Sequence, residues 1–224
     1  MWTDLSTSAS LSKVDRLVYN GNMKAANTNI SQKPSARERI LLTAYDLFYR
    51  EGIRATGIDR IIAESGVTKV TFYRHFPSKN DLIREFLEYR HQRWMVWFID
   101  ALQRHGGGIK ALVPSLGEWF NDENFRGCAF INSVGELGGV LPEVVEITRR
   151  HKLEMTSAIT NLLSPSRQRK QNAQAISLAV DGAIIRAQFE QTPEAALSSL
   201  GRILKAMSDH SCPKQIMTLG HPKV

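Results

Sequence analysis

The sequence is poor in cysteine and in long apolar runs, and each shortage excludes a class of protein. Its 224 residues include two cysteines, Cys128 and Cys212, which lie far apart and form no CxxC spacing. This pattern argues against a zinc site and against a disulfide scaffold, and it fits a reducing cytosol. No window approaches the roughly 18 to 20 consecutive apolar residues of a membrane-spanning helix. We therefore expect a cytoplasmic protein without a membrane segment.

Enzyme signatures are missing as well. The sequence contains no HExxH, no GxSxG, no phosphate-binding glycine loop and no cluster of carboxylates. The six histidines are scattered along the chain instead of grouped. We therefore predict no catalytic residue, no metal ligand and no cofactor, and we expect a protein that is not an enzyme.

The charge that is present is unevenly distributed. The chain has a formal net charge of +7 and a pI of about 9.6, which suggests an anionic partner. Residues 33 to 79 hold nine Lys or Arg against five acids, so more than half of the excess falls in about a fifth of the length. That concentration favours nucleic acid as the partner over a diffusely basic surface.

Two segments are predicted to lie outside the folded part. Residues 1–33 are rich in Ser, Thr and Asn and have no continuous apolar run, so they are no signal peptide. We predict a flexible N-terminal tail over 1–33, with either Met1 or Met23 as the translation start, and a C-terminal tail over 211–224.

Four helix starts follow the N-terminal tail. Ser35, Thr56 and Ser78 are each followed three residues later by an acidic residue, which is the spacing of a capping box. Thr68 stands where a fourth N-cap belongs. The pattern predicts a three-helix unit over 34–80 whose second and third helices are joined by the tight turn SGVT. This is the layout of a helix-turn-helix, whose second helix enters the major groove of DNA.

The third helix, predicted over about 68–76, has one apolar side and one polar side. Phe72 and Phe76 share a side that can face the first two helices, whereas Val70 and Arg74 point the opposite way. Such a surface suits a DNA groove, with donors for phosphate at the edges and small or flexible side chains where base edges come closest. From the pattern alone, an exposed amphipathic helix in an ordinary helical bundle is the alternative.

The segment ARERILLTAYDLFYREGIRATGIDRIIAESGVTKVTFYRHFPSKNDLI, roughly residues 35–83, resembles the N-terminal signature of the TetR family of bacterial transcriptional regulators. Its most specific part is GVTKVTFYRHFPSK. The resemblance implies that Lys69 and Val70 reach base edges and that Thr71 reaches a base or a nearby phosphate. For the other residues of the set named below, it implies contact with phosphate. Thr56 and Thr68 could instead be caps alone, and Tyr73 could be partly buried in the core. The implied DNA contacts are Thr56, Thr68, Lys69, Val70, Thr71, Tyr73, Arg74, His75 and Lys79.

The larger half of the chain also shows helical periodicity. It contains no alternating strand pattern and no internal repeat, so the fold class is predicted to be all-α. Helices are predicted over 81–104, 109–121, 128–138, 142–163, 168–190 and 193–208. The first of these has an apolar stripe formed by Ile83, Phe86, Leu87, Trp94, Trp97, Phe98 and Ala101. The resemblance implies that residues 81–210 form a helical effector-binding and dimerisation domain.

Two groups of residues suit these implied roles. Aromatic and Met side chains would line a cavity for a largely apolar small-molecule effector, although aromatics at helical spacing are more often plain core. Small and branched residues on the last two helices suit a two-fold interface of a homodimer, with intramolecular core as the alternative. The pocket set is Trp94, Trp97, Phe98, Trp119, Phe120, Cys128, Phe130, Asn132, Glu136 and Met155, of which Asn132 and Glu136 form the polar end or lie in solvent. The interface set is Ala179, Gly182, Ala183, Arg186, Leu197 and Leu200.

Cys128 suggests a variant of this function. It opens a predicted helix with Arg126 nearby, and a helix N-terminus together with a cation favours the reactive thiolate. Some members of the family that have a similar Gly-Cys step sense electrophiles or oxidants through that cysteine. A small, easily buried residue is the alternative role. The expected function is that of a dimeric repressor, which binds double-stranded DNA and is released from it by a small effector. Thiol sensing and non-specific DNA compaction are the alternatives.

Overall fold

The helical elements follow the predicted order. The structure, a computed structural model, describes residues 34–209, with side chains through residue 207. The predicted tails at 1–33 and 211–224, including Cys212, lie outside the described residues. The described residues form α-helices, one turn of 3₁₀ helix (Ile109–Ala111) and no strand, which confirms the all-α fold class. The helices are α1 (Ala36–Glu51), α2 (Ile58–Ser65), α3 (Lys69–His75), α4 (Lys79–Arg104), α5 (Leu112–Phe120), α6 (Ala129–Leu137), α7 (Pro142–Asn161), α8 (Arg169–Phe189) and α9 (Glu194–Asp209).

Three of the four predicted helix starts are confirmed by their hydrogen bonds. At the start of α1, the Ser35 hydroxyl accepts from the Glu38 amide, and the Glu38 carboxylate accepts from the Ser35 amide at 2.8 Å. Thr68 caps α3 by accepting from the amide of Thr71 at 3.2 Å. Ser78 caps α4 in the same way. Each cap stabilises its helix by about 0.5–2 kcal/mol, because it satisfies an amide that has no partner within the helix.

The fourth predicted start was wrong. The N-cap of α2 is Gly57, without any side-chain cap, and α2 begins at Ile58. Thr56 is fully buried, and its hydroxyl donates to the carbonyl of Gly52 at 2.8 Å. Its side chain therefore braces the turn after α1 from the inside, because a hydroxyl in this interior needs an acceptor nearby.

The helix-turn-helix is held by one face of α3. Phe72 and Phe76 are buried in the core that also contains Ile40 of α1 and Ile61 of α2. Gly66, at φ +64°, makes the turn from α2 into α3 in a left-handed conformation that glycine adopts without strain. Burying a phenylalanine stabilises a fold by about 1.5–3 kcal/mol, so this pair fixes which face of α3 is turned inward.

The long helix α4 joins the helix-turn-helix to the rest of the chain. It packs on α1, α5 and α7, while α8 lies between α7 and α9. Its predicted apolar stripe is buried throughout, as the periodicity required. The described residues from Ser35 to 209 form one compact unit, and the predicted boundary between residues 80 and 81 stays a prediction. No helix of the described residues is both long and apolar enough to span a membrane. The buried stripe is Ile83, Phe86, Leu87, Trp94, Trp97, Phe98 and Ala101.

Aromatic rings dominate the interior of the C-terminal part. Trp94 stacks on Phe98 with ring centroids 4.6 Å apart, and His151 stacks on Phe130 at 3.7 Å. The Nδ1 atoms of His91 and His151 lie 3.1 Å apart. Burial lowers the pKa of His151 to about 2, with further contributions from Lys152, His91 and Arg90. His151 is therefore neutral and forms part of the apolar core.

Truncation of the two sides of α3 should lower stability by very different amounts. Phe72→Ala removes a fully buried ring and should lower the free energy of unfolding by about 3–5 kcal/mol. Val70→Ala, on the outward side, should change it by less than about 0.5 kcal/mol. Urea unfolding followed by tryptophan fluorescence measures both, and equal losses would mean that α3 is turned differently from the structure.

Candidate nucleic-acid interface

The outward face of α3 is a polar surface with an exposed apolar residue at its centre. Val70 is 70% exposed and Tyr73 is 41% exposed, and Lys69 and Arg74 lie beside them. Val70 therefore has no place in the core of the described residues. The face presents two cations, a methyl-bearing side chain and a phenol, which together can contact phosphates and base edges.

The remaining predicted contacts on α3 border this face. Thr71 and His75 are half-exposed, and the hydroxyls of Thr68 and Thr71 lie 2.9 Å apart. Thr68 is exposed as well as being the N-cap, so capping leaves its side chain accessible. The structure therefore brings together on one surface all seven of the predicted contacts that lie between residues 68 and 75.

The other two predicted contacts have internal partners. Lys79 is half-buried, and its ammonium donates to the carbonyl of Ile53 at 2.6 Å. Burial lowers the pKa of Lys79, and the charge of Glu136 opposes that effect. The Thr56 hydroxyl lies inside the turn and is not available to a phosphate, which corrects that assignment. The phosphate contact of Lys79 stays a prediction.

Several basic side chains of the helix-turn-helix form contacts within the protein, whereas those of α3 remain exposed. Arg60 forms ion pairs with Glu51 and Glu64 of the neighbouring turns. Arg37 pairs with Glu85, and the Arg54 side chain donates to the main-chain carbonyl of Glu136 at 2.7 Å. Among the described residues, Lys69 and Arg74 form no ion pair with an acidic side chain. Their charges are therefore the ones most available to an anionic partner.

The residues predicted to line an effector pocket separate into two places. The aromatic members form one contiguous cluster, in which Trp119 lies 5.6 Å from Trp94 and 5.8 Å from Phe120. Asn132 and Glu136 instead line a cavity of about 330 Å³ between the end of α1 and α6. A larger open groove of about 1250 Å³ lies between α4 and α7 and contains none of the predicted pocket residues.

The predicted dimer residues are also divided by the structure. Ala183 and Leu200 are buried within the protomer, where α8 packs on α7 and α9, so they cannot reach a partner. Gly182 and Arg186 are exposed, while Ala179 and Leu197 are half-buried. The exposed apolar residues on α8 include Leu178, Ile185 and Phe189, and neither Leu178 nor Phe189 was predicted at the interface. Their spacing, read against the buried residues of the same helix, is the signal that could have revealed them.

The comparisons with known proteins agree with this geometry. The family model described as "Bacterial regulatory proteins, tetR family" matches residues 40–86. The HTH-type transcriptional regulator LmrA of Bacillus subtilis is 33% identical over 91 residues, which cover 38% of this chain and 48% of that protein. YerO of the same organism, an uncharacterized HTH-type transcriptional regulator, is 43% identical over 53 residues, or 24% of this chain and 18% of that protein. The chain thus spans about a fifth to a half of the length of these curated relatives.

Solved structures extend the similarity to the rest of the chain. A TetR-family transcriptional regulator from Streptomyces coelicolor is 29% identical, has a TM-score of 0.70, and is matched over 78% of this chain and 95% of its own. The reduced form of Escherichia coli NemR shares the fold, with 19% identity, a TM-score of 0.66, and coverage of 77% and 96%. The fold and the α3 surface define an all-helical protein with an N-terminal helix-turn-helix. Residues 40–86 match the TetR family of bacterial regulatory proteins, and the fold is similar to that of TetR-family regulators.

Proposed function

We propose that the chain is a cytoplasmic transcriptional repressor that binds a palindromic operator as a homodimer and is released by a small, largely apolar effector. The observation that carries the DNA-binding part is the outward face of α3. Two buried phenylalanines hold this helix from behind, and its exposed cations have no internal ion pair among the described residues. A binding protein of this kind needs no catalytic residue, and we propose none.

The side chains of this face suit different parts of a duplex. Lys69, in the first turn of α3, can donate to O6 or N7 of guanine, and Val70 can contact the methyl group of thymine. Tyr73, Arg74 and His75 lie further along the helix, where donors contact phosphate oxygens and carry no sequence information. Specificity is therefore assigned to the start of α3 and affinity to its end.

Two substitutions on α3 should separate these roles. The duplexes that the wild-type protein and each variant bind are selected from a random pool at physiological salt. Lys69→Ala should lower the preference for guanine at one position of each half-site, with a cost of about 1–3 kcal/mol there. Arg74→Ala should weaken all duplexes alike because it removes a phosphate contact.

The control is Lys170→Ala, which removes an exposed cation from α8 and should change neither property. If Lys69→Ala and Arg74→Ala merely scaled the affinity for every duplex, the assignment of Lys69 to a base would be wrong. Binding without any enriched motif would favour a non-specific, DNA-compacting protein instead.

The dimer is assigned to the exposed face of α8. Leu178 is 74% exposed and Phe189 is 69% exposed, with Gly182 and Ile185 between them on the same side of the helix. An apolar stripe with a small residue near its middle allows two helices to approach closely. A second copy of this chain is the partner we propose, since a two-fold axis would place the same stripe opposite itself. Two α3 helices would then address half-sites about 34–36 Å apart.

Charge placed in this stripe should dissociate the dimer. Leu178→Asp should weaken self-association at least about 30-fold, since loss of a large apolar anchor of an interface costs about 2 kcal/mol or more. Leu153→Asp is the matched control, because Leu153 is 64% exposed but lies on α7. Sedimentation equilibrium measures both variants. A Leu178→Asp protein as dimeric as the wild type would overturn this interface.

The effector class is supported by the aromatic cluster. The indole Nε1 of Trp94 and the hydroxyl of Ser115 are buried and have no hydrogen-bond partner among the described residues. Buried polar groups without partners are costly, and a bound molecule can satisfy them. A flat, mostly apolar molecule with a hydrogen-bond acceptor is the class that best complements such a lining.

One observation favours thiol sensing as a second candidate. Cys128 is buried at the N-terminus of α6, and the Lys152 ammonium faces both Asp181, at 2.6 Å, and Cys128. Burial alone would lower the pKa of Lys152, but Cys128 and Asp181 outweigh it and raise the pKa. A persistent cation beside the sulfur is a common feature of reactive cysteine sites.

N-ethylmaleimide separates the two candidates. Its addition to Cys128 would form a carbon–sulfur bond and deliver a proton to the neighbouring carbon of the ring. For a thiol sensor, the reagent should lower operator affinity at least about tenfold in the wild type and in Cys212→Ser, within the usual range of coupling between sites. Cys128→Ser should keep its affinity. Equal affinities before and after treatment in all three proteins would exclude this candidate.

A further inference from the structure

The end of α6 is tied to the loop that follows α1. The Glu136 carboxylate accepts from the amide of Ile53 at 3.1 Å and from the amide of Arg54 at 2.7 Å. The Arg54 side chain returns a hydrogen bond to the Glu136 carbonyl at 2.7 Å. Three charge-assisted bonds thus join residues more than 80 positions apart, and each is stronger than a hydrogen bond between neutral groups.

The loop is shaped to receive this carboxylate. Gly52, at φ +92°, lies so close that a Cβ at this position would be 3.4 Å from both Glu136 oxygens. Ile53 is buried, and its carbonyl accepts from Lys79 at 2.6 Å, so both main-chain groups of this residue are held. The first residue of α4 and the last turn of α6 therefore both hold Ile53, and the last turn of α6 also holds Arg54.

A second tie lies one turn away. The hydroxyl of Tyr49 donates to the carbonyl of Gly127 at 2.9 Å and accepts from the amide of Arg126 at 3.0 Å. The guanidinium of Arg90, on α4, lies 3.9 Å from the centre of the Tyr49 ring. The end of α1 is thus clamped between α4 and the segment that precedes α6.

The same segment reaches the helix that carries the proposed dimer face. Gln188 of α8 donates to the carbonyl of Arg126 at 3.0 Å and to the side-chain oxygen of Asn132 at 3.2 Å. Its neighbour Phe189 is exposed on the proposed dimer stripe. Residues 126–136 therefore contact the helix-turn-helix on one side and the end of α8 on the other.

We propose that Glu136 is a positioning residue for DNA binding. It sets the angle of the helix-turn-helix on its own protomer, and with it the separation of the two α3 helices in a dimer. This inference rests on the proposed function. Since Glu136 contacts the loop after α1 and not the outward face of α3, its loss should impair the match to two half-sites at once. It should leave the contact of one α3 with one half-site intact.

The test compares Glu136→Ala and Glu136→Gln with the wild type on a full palindrome and on a single half-site. Glu136→Ala should lower full-site affinity about tenfold, within the usual range of coupling between sites, and change half-site affinity less than about twofold. Glu136→Gln, which keeps one acceptor for the two amides, should fall between. Glu146→Ala removes an equal charge from the exposed ion pair with Arg149 and should change neither affinity.

Three results on DNA would overturn this role. An equal loss on both duplexes would mean that the substitution damages the helix-turn-helix itself. A gain on both would mean that Glu136 acts only by repelling phosphates. An unchanged ratio of full-site to half-site affinity would contradict the positioning role as directly.

Amide hydrogen exchange gives a readout that does not require DNA. In Glu136→Ala, exchange at residues 52–57 should accelerate at least about tenfold, because the amides of Ile53 and Arg54 lose their acceptor, while exchange in α7 should stay unchanged. Unchanged exchange at residues 52–57 would overturn the inference. If the wild type selects no duplex, the proposed function fails, and the exchange experiment still decides whether Glu136 holds this loop.

Discussion

Burial of Phe72 and Phe76 is the constraint on which the rest of the structure depends. These rings are the apolar anchors of a helix only seven residues long, which could not persist alone in water. With its inner face committed to the core of α1 and α2, the outer face is left to Lys69, Val70 and Arg74. Exposure of a single valine to water costs little free energy. Val70 is thereby placed where it can contact a base edge.

The position of this small unit on the protomer depends on polar contacts as much as on apolar packing. Helix α4 supplies the apolar part, since its stripe is continuous from the helix-turn-helix to the aromatic cluster. Glu136, Tyr49 and Lys79 add directional bonds, which tolerate less displacement than hydrophobic contacts. A regulator whose two recognition helices must match two half-sites needs this directional control. The position of the recognition helices must also be able to change, and hydrogen bonds at a half-exposed junction can be exchanged for hydrogen bonds to water.

The sequence was sufficient for features that depend on near neighbours. The caps at Ser35, Thr68 and Ser78, the inward face of α3 and the buried stripe of α4 follow from spacings of three and four residues, and all are confirmed. The Thr56 cap failed because Gly57 can serve as N-cap without a side chain, so the same spacing fitted a residue inside the turn. Local pattern cannot distinguish those two cases.

Features that depend on distant residues were missed or only half found. Glu136 was expected at the polar end of a pocket, but its partners at Ile53 and Arg54 are main-chain amides, which leave no side-chain signal in a sequence. The predicted dimer set combines residues from the inner and outer faces of α8, because both faces contain small and branched residues and α8 is flanked by two other helices. The contact of α8 with a second copy stays a prediction. The aromatic residues were expected to lie together and do so, and their contact with an effector stays a prediction.

The most direct test of α3 as the recognition helix is to map where a duplex contacts the protein. Amide hydrogen exchange is measured for the protein alone and with the duplex that it binds best. If α3 is the recognition helix, exchange should slow in residues 68–76 and at the loop around Ile53, and it should not slow in α9, which packs on α8 and α5. Slower exchange confined to the C-terminal helices, with residues 68–76 unaffected, would contradict the assignment of α3 as the recognition helix.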